Sequence, residues 1–471
     1  MMTSSTLNRR QLLAAAAAPF VLRAQRAQRP PNFLFLLTDD QRWDALGCMG
    51  NRIIQTPHVD ALARQGATFT NMFVTTPICV TSRASIFSGL YARCHGIHTF
   101  RRRFSPSQFA ATYPDMLRKA GYRTGFVGKY GLDEPPEPRD KFDDWHGFLG
   151  QGHFFPKGEP GPHLTQIMSD QARGVIEAQS PNQPFCLSIS YKAPHVQDQD
   201  PRQFLADPRD EHLYRDTRMP IPKTMDSRAI ENLPIEVQGS EARRRFAVRF
   251  STPELYQRSV RNYYRMITGI DRSVGELVAA LEKRGLRDNT VIIYTSDNGF
   301  YLGEHGLAGK WFMHEESLRV PLVIHDPRPG AVRGARFEQM ALNIDCAPTM
   351  LELAGLAPPP SMQGRSLAPW LRGQRPSWRN EFFGEHLFDH EWIPKSEGIR
   401  TAQWKYARYL NIPGNPEEMY DLAADPLEET NLAGAAAHRA QLDSLRRRRE
   451  AWIEALGNWR ADRPWREPAA G

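Results

Sequence analysis

Five mainly apolar runs constrain the fold of this 471-residue chain more than any other feature. Each run is short and stops close to a charged or otherwise polar residue. Such runs are typical of strands that are buried on both faces of a parallel sheet, because neither face then needs polar side chains. The predicted strands are Asn32 to Thr38, Arg123 to Val127, Phe185 to Tyr191, Thr290 to Ser296 and Val320 to His325.

Segments with helical spacing separate these runs, so strands and helices alternate along the chain. This alternation predicts an α/β fold with a large, mixed but mostly parallel sheet sandwiched by helices. A shorter region follows from about Trp378, with a strand at Lys405 to Leu410 and a terminal helix at Ala437 to Leu456. We therefore expect a large domain at residues 30–377 and a smaller C-terminal α+β subdomain, with a small antiparallel sheet, at residues 378–471.

The first 27 residues have the composition of an export signal. Arg9 and Arg10 precede a short apolar stretch that ends in small residues near Ala24 or Ala27. This pattern predicts a bacterial twin-arginine signal and a periplasmic or secreted protein. An amphipathic helix with basic flanks is the alternative. No later run is long enough to cross a bilayer, so we expect no membrane association after processing.

The positive net charge of the chain comes largely from this segment. Residues 1–31 contain five arginines and no acidic residue, so removing them reduces the formal charge from +7 to about +2. We therefore expect no nucleic-acid partner. Local basic runs remain at residues 101–103, 243–245 and 446–449. Each run is either a solvated face or a binding site for a polyanionic substrate. The second interpretation applies above all to the run at residues 101–103.

Polar residues stand at or just after the ends of four predicted strands: Asp39 and Asp40, Lys129, His195, Asp297 and Asn298. In open α/β sheets, ligands bind at the carboxyl ends of the strands, so these residues are expected to meet at one edge. Three carboxylates and an amide oxygen suit Ca²⁺, or less well Mg²⁺, and suit zinc poorly. The alternative is that the acidic pairs are ordinary turn or cap residues.

Residues 79–89 read Cys-Val-Thr-Ser-Arg-Ala-Ser-Ile-Phe-Ser-Gly. The Cys-x-x-Ser-Arg pattern followed by a small residue and glycine resembles the signature of the type I sulfatases. In that family a formylglycine-generating enzyme oxidises the cysteine to formylglycine, whose hydrate supplies an oxygen nucleophile. The resemblance thus implies a nucleophile derived from Cys79. Thr81 stands where the family usually has Pro or Ala. The other four cysteines could form two disulfides or stay free.

Further motifs extend the resemblance over residues 32–435. It implies that Asp39, Asp40, Asp297 and Asn298 hold calcium beside modified Cys79. It also implies positive charges around the sulfate and a histidine that protonates the leaving oxygen or contacts the sulfate. The residues that match these family positions are Arg83, Lys129 in Gly-Lys-Tyr, Lys310 in Gly-Glu-His-Gly-Leu-Ala-Gly-Lys-Trp, and His195 in Lys-Ala-Pro-His.

One position departs from the family pattern. The family commonly reads Gly-Lys-Trp-His, whereas this chain has Gly131 in place of the histidine that is thought to deprotonate the hydrate. Other histidines could substitute for it, and the candidates are His98, His153 and His305. From the smaller domain, His386, Asp389 and His390 could line the substrate pocket, although loop polarity explains them equally well.

These observations predict an exported, calcium-dependent sulfatase of the alkaline-phosphatase-like superfamily. It would be a sulfuric ester hydrolase of the arylsulfatase and carbohydrate sulfatase type, most similar in outline to bacterial carbohydrate sulfatases. Its substrate would be a sulfated small molecule or glycan. One alternative is a phosphodiester or phosphonate ester hydrolase on the same scaffold. The other is a noncatalytic binder of sulfated glycans.

Overall fold

The computed structural model describes residues 29–132 and 135–468. The predicted export signal at residues 1–27 lies outside the described residues. The strands are β1 (Asn32–Asp39), β2 (Ala67–Phe69), β3 (Met72–Phe73), β4 (Arg123–Lys129), β5 (Asp144–Phe148), β6 (Phe185–Pro194), β7 (Thr290–Ser296), β8 (Tyr301–Leu302), β9 (Ala308–Gly309), β10 (Arg319–Val320), β11 (Leu322–His325), β12 (Ala335–Phe337), β13 (Ala341–Leu342), β14 (Glu381–His386), β15 (Ser396–Thr401), β16 (Trp404–Tyr409) and β17 (Glu417–Asp421).

Helices connect these strands, together with several single 3₁₀ turns. The α-helices are α1 (Pro57–Gln65), α2 (Cys79–Ser88), α3 (Ala92–His95), α4 (Pro106–Ala110), α5 (Tyr113–Lys119), α6 (Leu164–Glu177), α7 (Ser227–Glu231), α8 (Ile235–Gln238), α9 (Glu241–Arg249), α10 (Pro253–Lys283), α11 (Glu315–Leu318), α12 (Cys346–Leu353), α13 (Ala368–Leu371) and α14 (Arg439–Gly457). Within the described ranges, no helix combines the length and apolarity that a membrane span requires.

The central sheet has eight strands in the order β12-β2-β11-β7-β1-β6-β4-β5. Strands β7, β1, β6, β4 and β5 are parallel to one another, and β11 runs against both of its neighbours. The predicted class, a mixed and mostly parallel sheet flanked by helices, is therefore confirmed. In the central strands β1, β6 and β7, every residue is buried, as their apolar sequences require.

The predicted strand at Val320 to His325 is divided into two. Val320 pairs with β3 in a separate three-stranded sheet, whereas Leu322 to His325 form β11 in the central sheet. Pro321 stands between them and has no backbone N–H to contribute to a ladder. The strand also runs antiparallel to β7, which hydrophobicity alone does not reveal.

Two apolar cores cover the two faces of the sheet. Along β1, Phe33, Phe35 and Leu37 join one core, which α2, α5, α12 and the C-terminal sheet complete. The alternating Leu34 and Leu36 join the other, which α1, α6 and α10 complete. Strands at the centre of the sheet are therefore held from both sides, and this fixes the positions of their carboxyl ends.

The C-terminal region forms a four-stranded antiparallel sheet, β14-β15-β16-β17, with α14 packed against it. Three of the four arginines in the basic run on α14 contact this sheet, and Arg447 is exposed. Arg446, Arg448 and Arg449 form ion pairs with carboxylates of β14, β15 and β17. These three arginines bind their own subdomain, so the run is not a free grip for a polyanion. The division at residues 377 and 378 stays a prediction.

A buried ion pair joins the C-terminal region to the helix that follows β13. Arg379 donates two hydrogen bonds to Asp345, at 2.5 and 2.8 Å, and the two side chains are 1% and 0% exposed. Asp345 also accepts hydrogen bonds from the backbone N–H groups of Leu342 and Arg365. Removal of the arginine would leave a buried carboxylate without its counter-charge.

We therefore expect Arg379→Ala to lower the free energy of unfolding by about 3–5 kcal/mol, as for other buried pairs that lose one partner. Urea unfolding measures this change. The matched control is Arg372→Ala, which breaks the partly exposed pair between Arg372 and Glu352 and should cost about 0–1 kcal/mol. Equal effects of the two substitutions would contradict the structural role assigned to Arg379.

Candidate active site

Four strand ends bring the predicted site residues to one edge of the sheet. Strand β1 ends at Asp39, β4 at Lys129, β6 just before His195, and β7 just before Asp297. In the ladder, Thr38 lies beside Ser296 and Asp39 lies beside Pro194. All of these site residues are buried. The expectation that residues at the carboxyl ends of strands meet at one edge is thus met by side chains that are far apart in sequence. Asp40 and Asn298, for example, are 258 residues apart.

Helix α2 presents Cys79 to this edge. Cys79 is the first residue of the helix and is 2% exposed, and Arg83 follows one turn later on the same helix. The helix ends at Ser88 and is capped by Gly89, whose φ of 68° is in the left-handed region that favours glycine. Burial raises the pKa of the Cys79 thiol, although Lys129 and Lys310 oppose the shift. An unmodified thiol here would be protonated and a poor nucleophile.

Cations and carboxylates alternate around Cys79. Lys129 Nζ lies 2.5 Å from Asp39 Oδ2, and Lys310 Nζ lies 2.5 Å from Asp40 Oδ1. Arg83 Nε donates to Asp297 Oδ2 at 2.9 Å. In each pair the carboxylate stands at or just after the end of a strand. The predicted cations and carboxylates are therefore in contact. A charge buried at this depth is tolerated only when such partners are present.

The pKa values of the three carboxyl groups differ because their surroundings differ. Burial alone would raise the pKa of Asp39, but Lys129, His195 and Arg83 hold it well below its usual range. Burial and the neighbouring Asp39 raise the pKa of Asp297 to about 7. Burial likewise raises the pKa of Asp40. Three cations, Arg83, Lys129 and Lys310, thus face three carboxyl groups, and they offset the burial of Asp39 more fully than that of Asp297.

Two buried oxygen atoms in this cluster, Asp39 Oδ1 and Asn298 Oδ1, accept no hydrogen bond from any described residue. The amide of Asn298 is oriented by its Nδ2, which donates to Asp40 Oδ1 at 2.6 Å and to the Gly299 carbonyl at 2.9 Å. Buried oxygens without partners are rare in native proteins and call for a ligand. Their hard-oxygen chemistry fits a calcium or magnesium ion.

The backbone at Asp40 supports the same interpretation. Its φ of 67° is in the left-handed region, which is costly for a residue with a Cβ atom. In this conformation, ligand atoms of Asp39, Asp40 and His195 all lie within 4.8 Å of one another. His195 Nδ1 donates to the Val196 carbonyl at 2.7 Å, which leaves Nε2 facing Asp40 Oδ2 at 3.6 Å.

A cavity of about 190 Å³ opens above Cys79. Besides Cys79, the predicted residues that line it are His195, Lys310 and His390. His386 is fully buried, and the exposed Asp389 forms an ion pair with Lys395. Arg245, from the basic run at residues 243–245, also lines the cavity, and the lining residues that no sequence pattern singled out are Ile78, Phe100, Gln151, Asp198, Glu241, Trp311, Phe388 and Ile393.

These unpredicted lining residues do not stand at the carboxyl ends of strands. The position of a residue after a strand therefore could not indicate them. Gln151 accepts a hydrogen bond from Lys129 Nζ at 2.7 Å. Asp198, Glu241 and Arg245 belong to the segment at residues 196–250, which is rich in Asp, Arg and Pro. That composition was the available signal, but it did not indicate which side chains face the cavity.

Gly131 has a structural reason to be glycine. Its φ is 81°, and a Cβ atom built there would lie 2.5 Å from Arg83 Cδ. The family histidine therefore does not fit at this position unless Arg83 moves. None of the described substitutes, His98, His153 and His305, is among the residues that line the cavity. His305 instead stacks on His314, with the ring centroids 4.7 Å apart.

The sheet and the charged cluster at its carboxyl edge define a hydrolase of the alkaline-phosphatase-like class. The chain belongs to the sulfatase family, whose family model matches residues 31–356. A second model, N-sulphoglucosamine sulphohydrolase, C-terminal, matches residues 303–454. The protein is therefore a sulfuric ester hydrolase.

Individual relatives agree with this assignment. The chain is 31% identical to the N-acetylglucosamine-6-O-sulfatase of Bacteroides thetaiotaomicron, over 88% of this chain and 85% of the relative. Among solved structures, it is similar to BT4656 in complex with its substrate D-glucosamine-2-N,6-O-disulfate, with a TM-score of 0.80 and 27% identity over 92% of this chain and 99% of that one. The phosphonate monoester hydrolase of Agrobacterium radiobacter shares the fold, with a TM-score of 0.70 and 24% identity over 91% and 95% of the chains.

We expect Gly131→Ala to displace Arg83, because the added Cβ atom has no room beside its side chain. Sulfate release should fall roughly 100-fold, as for other small misplacements of reacting groups. The matched control is Gly121→Ala, where φ is 91° but no atom lies within 4 Å of the added Cβ. This control should cost about 1–2 kcal/mol of stability and leave sulfate release unchanged. Full activity of Gly131→Ala would show that the position of Arg83 is not critical.

Proposed function

We propose that the protein removes sulfate from a sulfated carbohydrate, with formylglycine made from Cys79 and a bound calcium ion. The observation that carries the proposal is the position of Cys79, which begins a buried helix at the base of the cavity, beside Lys310. The carbohydrate is inferred from the N-acetylglucosamine-6-O-sulfatase and from the disulfated glucosamine bound to BT4656.

Asp39, Asp40, Asp297 and Asn298 would hold the calcium ion. The support for this ligand set is the pair of unpartnered oxygens on Asp39 and Asn298 and the raised pKa of Asp297, whose carboxylate form is only partly compensated by Arg83 and Lys129. A divalent cation at such a site supplies positive charge that offsets the charge developing on sulfate oxygens. Magnesium is the less favoured ion because it keeps its waters more firmly than calcium does.

The cations of the chain surround the position where a sulfate would lie. Lys129 and Lys310 carry fixed positive charge, and ion pairs with Asp39 and Asp40 orient them. Attack on a sulfate ester concentrates charge on its oxygens, so preoriented cations stabilise that charge without reorganisation. A hydrated formylglycine at position 79 would supply the oxygen nucleophile that a protonated thiol cannot.

Arg83 and His195 have separate tasks in this proposal. Arg83 is anchored by Asp297, by the Lys129 carbonyl and by Ser190, and holds its charge one helical turn from residue 79. His195 lines the cavity with Nδ1 fixed by the Val196 carbonyl, so Nε2 is the atom available to the leaving oxygen. Burial holds the pKa of His195 well below its usual range, so the neutral ring carries its proton on Nδ1, and Nε2 contacts the sulfate or gives a proton only once the ring is protonated.

The burial of Cys79 limits when it can be modified. Its side chain is 2% exposed within α2, so a modifying enzyme could reach it only before the domain folds. We propose that a formylglycine-generating enzyme acts first and that the folded protein is then exported through the twin-arginine signal at residues 1–27. This order places the mature enzyme in the periplasm or outside the cell.

The substrate class is tested with esters of one chromogenic alcohol. Protein produced together with a formylglycine-generating enzyme should hydrolyse the sulfate monoester at least about 100-fold faster than the phosphonate monoester, and should release sulfate from N-acetylglucosamine 6-sulfate. Preference for the phosphonate would instead support the alternative hydrolase on this scaffold. Tight binding of the sulfated sugar without turnover would support a noncatalytic binder.

The same protein preparation tests the nucleophile. Mass spectrometry of the peptide that contains Cys79 should show replacement of the thiol by an aldehyde, and the aldehyde should react with a hydrazide. Cys346 provides the internal control because it is also buried but lies outside the signature. If fully active protein contains only unmodified Cys79, formylglycine is not the nucleophile.

Removal of divalent ions should abolish sulfate release, and Ca²⁺ should restore it, because the proposed ligands are hard oxygen atoms. Elemental analysis should find about one calcium ion per chain in the wild type and none in Asp297→Asn. The matched control is Asp271→Asn, which changes a buried aspartate that accepts hydrogen bonds from the N-terminus of α1. Calcium retention by Asp297→Asn, or restoration by Zn²⁺ alone, would refute the assigned ligands.

A further inference from the structure

We propose that Arg244 and Trp392 form an outer binding site for an anionic group on the sugar next to the one that loses its sulfate. This inference rests on the proposed function and extends it, because it makes an acidic oligosaccharide the preferred substrate. The anionic group is a carboxylate or a second sulfate, both of which match the donor geometry of a guanidinium group.

The two residues adjoin side chains that line the cavity. Helix α9 contributes Glu241 and Arg245 to the cavity wall, and the loop between β14 and β15 contributes Phe388, His390 and Ile393. The backbone N–H of Glu241 donates to the carbonyl of Trp392 at 2.8 Å, which fastens this loop to the start of the helix. Arg244 and Trp392 are sequence neighbours of Arg245 and Ile393, and both are exposed.

Inside the cavity, the neighbouring Arg245 is already neutralised. Its guanidinium group lies 2.7 Å from Glu241 and 3.2 Å from Asp198, and it also packs over the ring of Trp311. Asp198 binds Arg249 as well, at 2.7 Å. This wall therefore offers no free cation to a second anionic group on the same sugar ring.

Arg244 differs from both of its neighbours in the basic run. Arg243 donates to the Gly306 carbonyl and packs on Phe246. Among the described residues, Arg244 has no carboxylate partner within ion-pair distance. Its guanidinium carbon lies 3.6 Å from the ring centroid of Trp392, whose side chain is 39% exposed. Stacking orients the guanidinium group but leaves its N–H donors available to a ligand.

The size of the cavity places the next sugar at this outer site. A cavity of about 190 Å³ is smaller than the roughly 300–1,000 Å³ of most small-molecule sites. A sugar ring whose sulfate reaches residue 79 fills it, so any linked sugar must continue over the mouth. There it meets an aromatic ring with an apolar surface and an oriented cation, a combination suited to an acidic sugar.

Kinetics with four substrates test the proposal. The substrates are N-acetylglucosamine 6-sulfate alone, or linked to galactose, to glucuronate or to galactose 6-sulfate. Arg244→Ala should raise KM roughly tenfold for the two disaccharides with an anionic neighbour, the loss expected for hydrogen bonds to a charged group. KM for the monosaccharide and for the neutral disaccharide should change less than about twofold, and kcat should not change.

Three variants make the result specific. Arg447→Ala removes an exposed arginine from α14 and should leave all four KM values unchanged. Trp392→Ala should raise KM for the same two disaccharides as Arg244→Ala. Arg244→Lys keeps the charge but loses the planar stack and should give intermediate KM values. An effect confined to glucuronate, or to galactose 6-sulfate, identifies which anion the site binds.

An equal KM increase for all four substrates, or no increase for any, would overturn the outer site. Calorimetric binding of the same sugars to a Cys79→Ala background provides a readout that does not depend on turnover. There too, Arg244→Ala should weaken only the sugars with an anionic neighbour. Failure of the wild type to hydrolyse any sulfate ester would count against the proposed function, whereas this binding difference would still decide the outer site.

Discussion

The structure depends on the balance of buried charge at the carboxyl edge of the central sheet. Asp39, Asp40 and Asp297 are acidic side chains in a buried region, and Arg83, Lys129 and Lys310 are their counter-charges. Burying any one of these charges alone would cost several kcal/mol. Because the partners come from separate strands, a helix and a loop, the site forms only when all of these elements have assembled. Fold and site are therefore energetically coupled.

The cavity is shared between two parts of the chain. The sheet edge supplies the charged base of the cavity, whereas α9 and the loop after β14 supply its walls. The loop is fixed to α9 by a backbone hydrogen bond, and the C-terminal sheet is fixed to the helices below by Arg379 and by Arg93 with Glu385 and Glu397. The chemistry can thus stay constant at the base while the walls determine which sugar enters.

The sequence was informative where one strong constraint acts on each residue. Strands such as Thr290 to Ser296 are predicted to the residue, because a doubly buried strand needs a continuous apolar run. The strand-end residues follow from topology. The residues of the cavity wall do not follow from topology, because Asp198 lies in irregular chain and Glu241 and Arg245 lie on one short helix. The division at Pro321 and the inward use of Arg446, Arg448 and Arg449 likewise depend on tertiary partners that no local pattern specifies.

Gly131 shows how a departure from a family pattern can reflect packing as well as loss. The histidine expected after Lys129 would place its Cβ atom on the stem of Arg83. With glycine there, Arg83 passes close to the backbone and reaches Asp297, the Lys129 carbonyl and Ser190 together. A histidine at position 131 would therefore add an imidazole group but displace the guanidinium group of Arg83. In the proposed mechanism, the proton assigned to such a histidine would be handled from the cavity itself, where His195 and His390 are the histidines among the described lining residues.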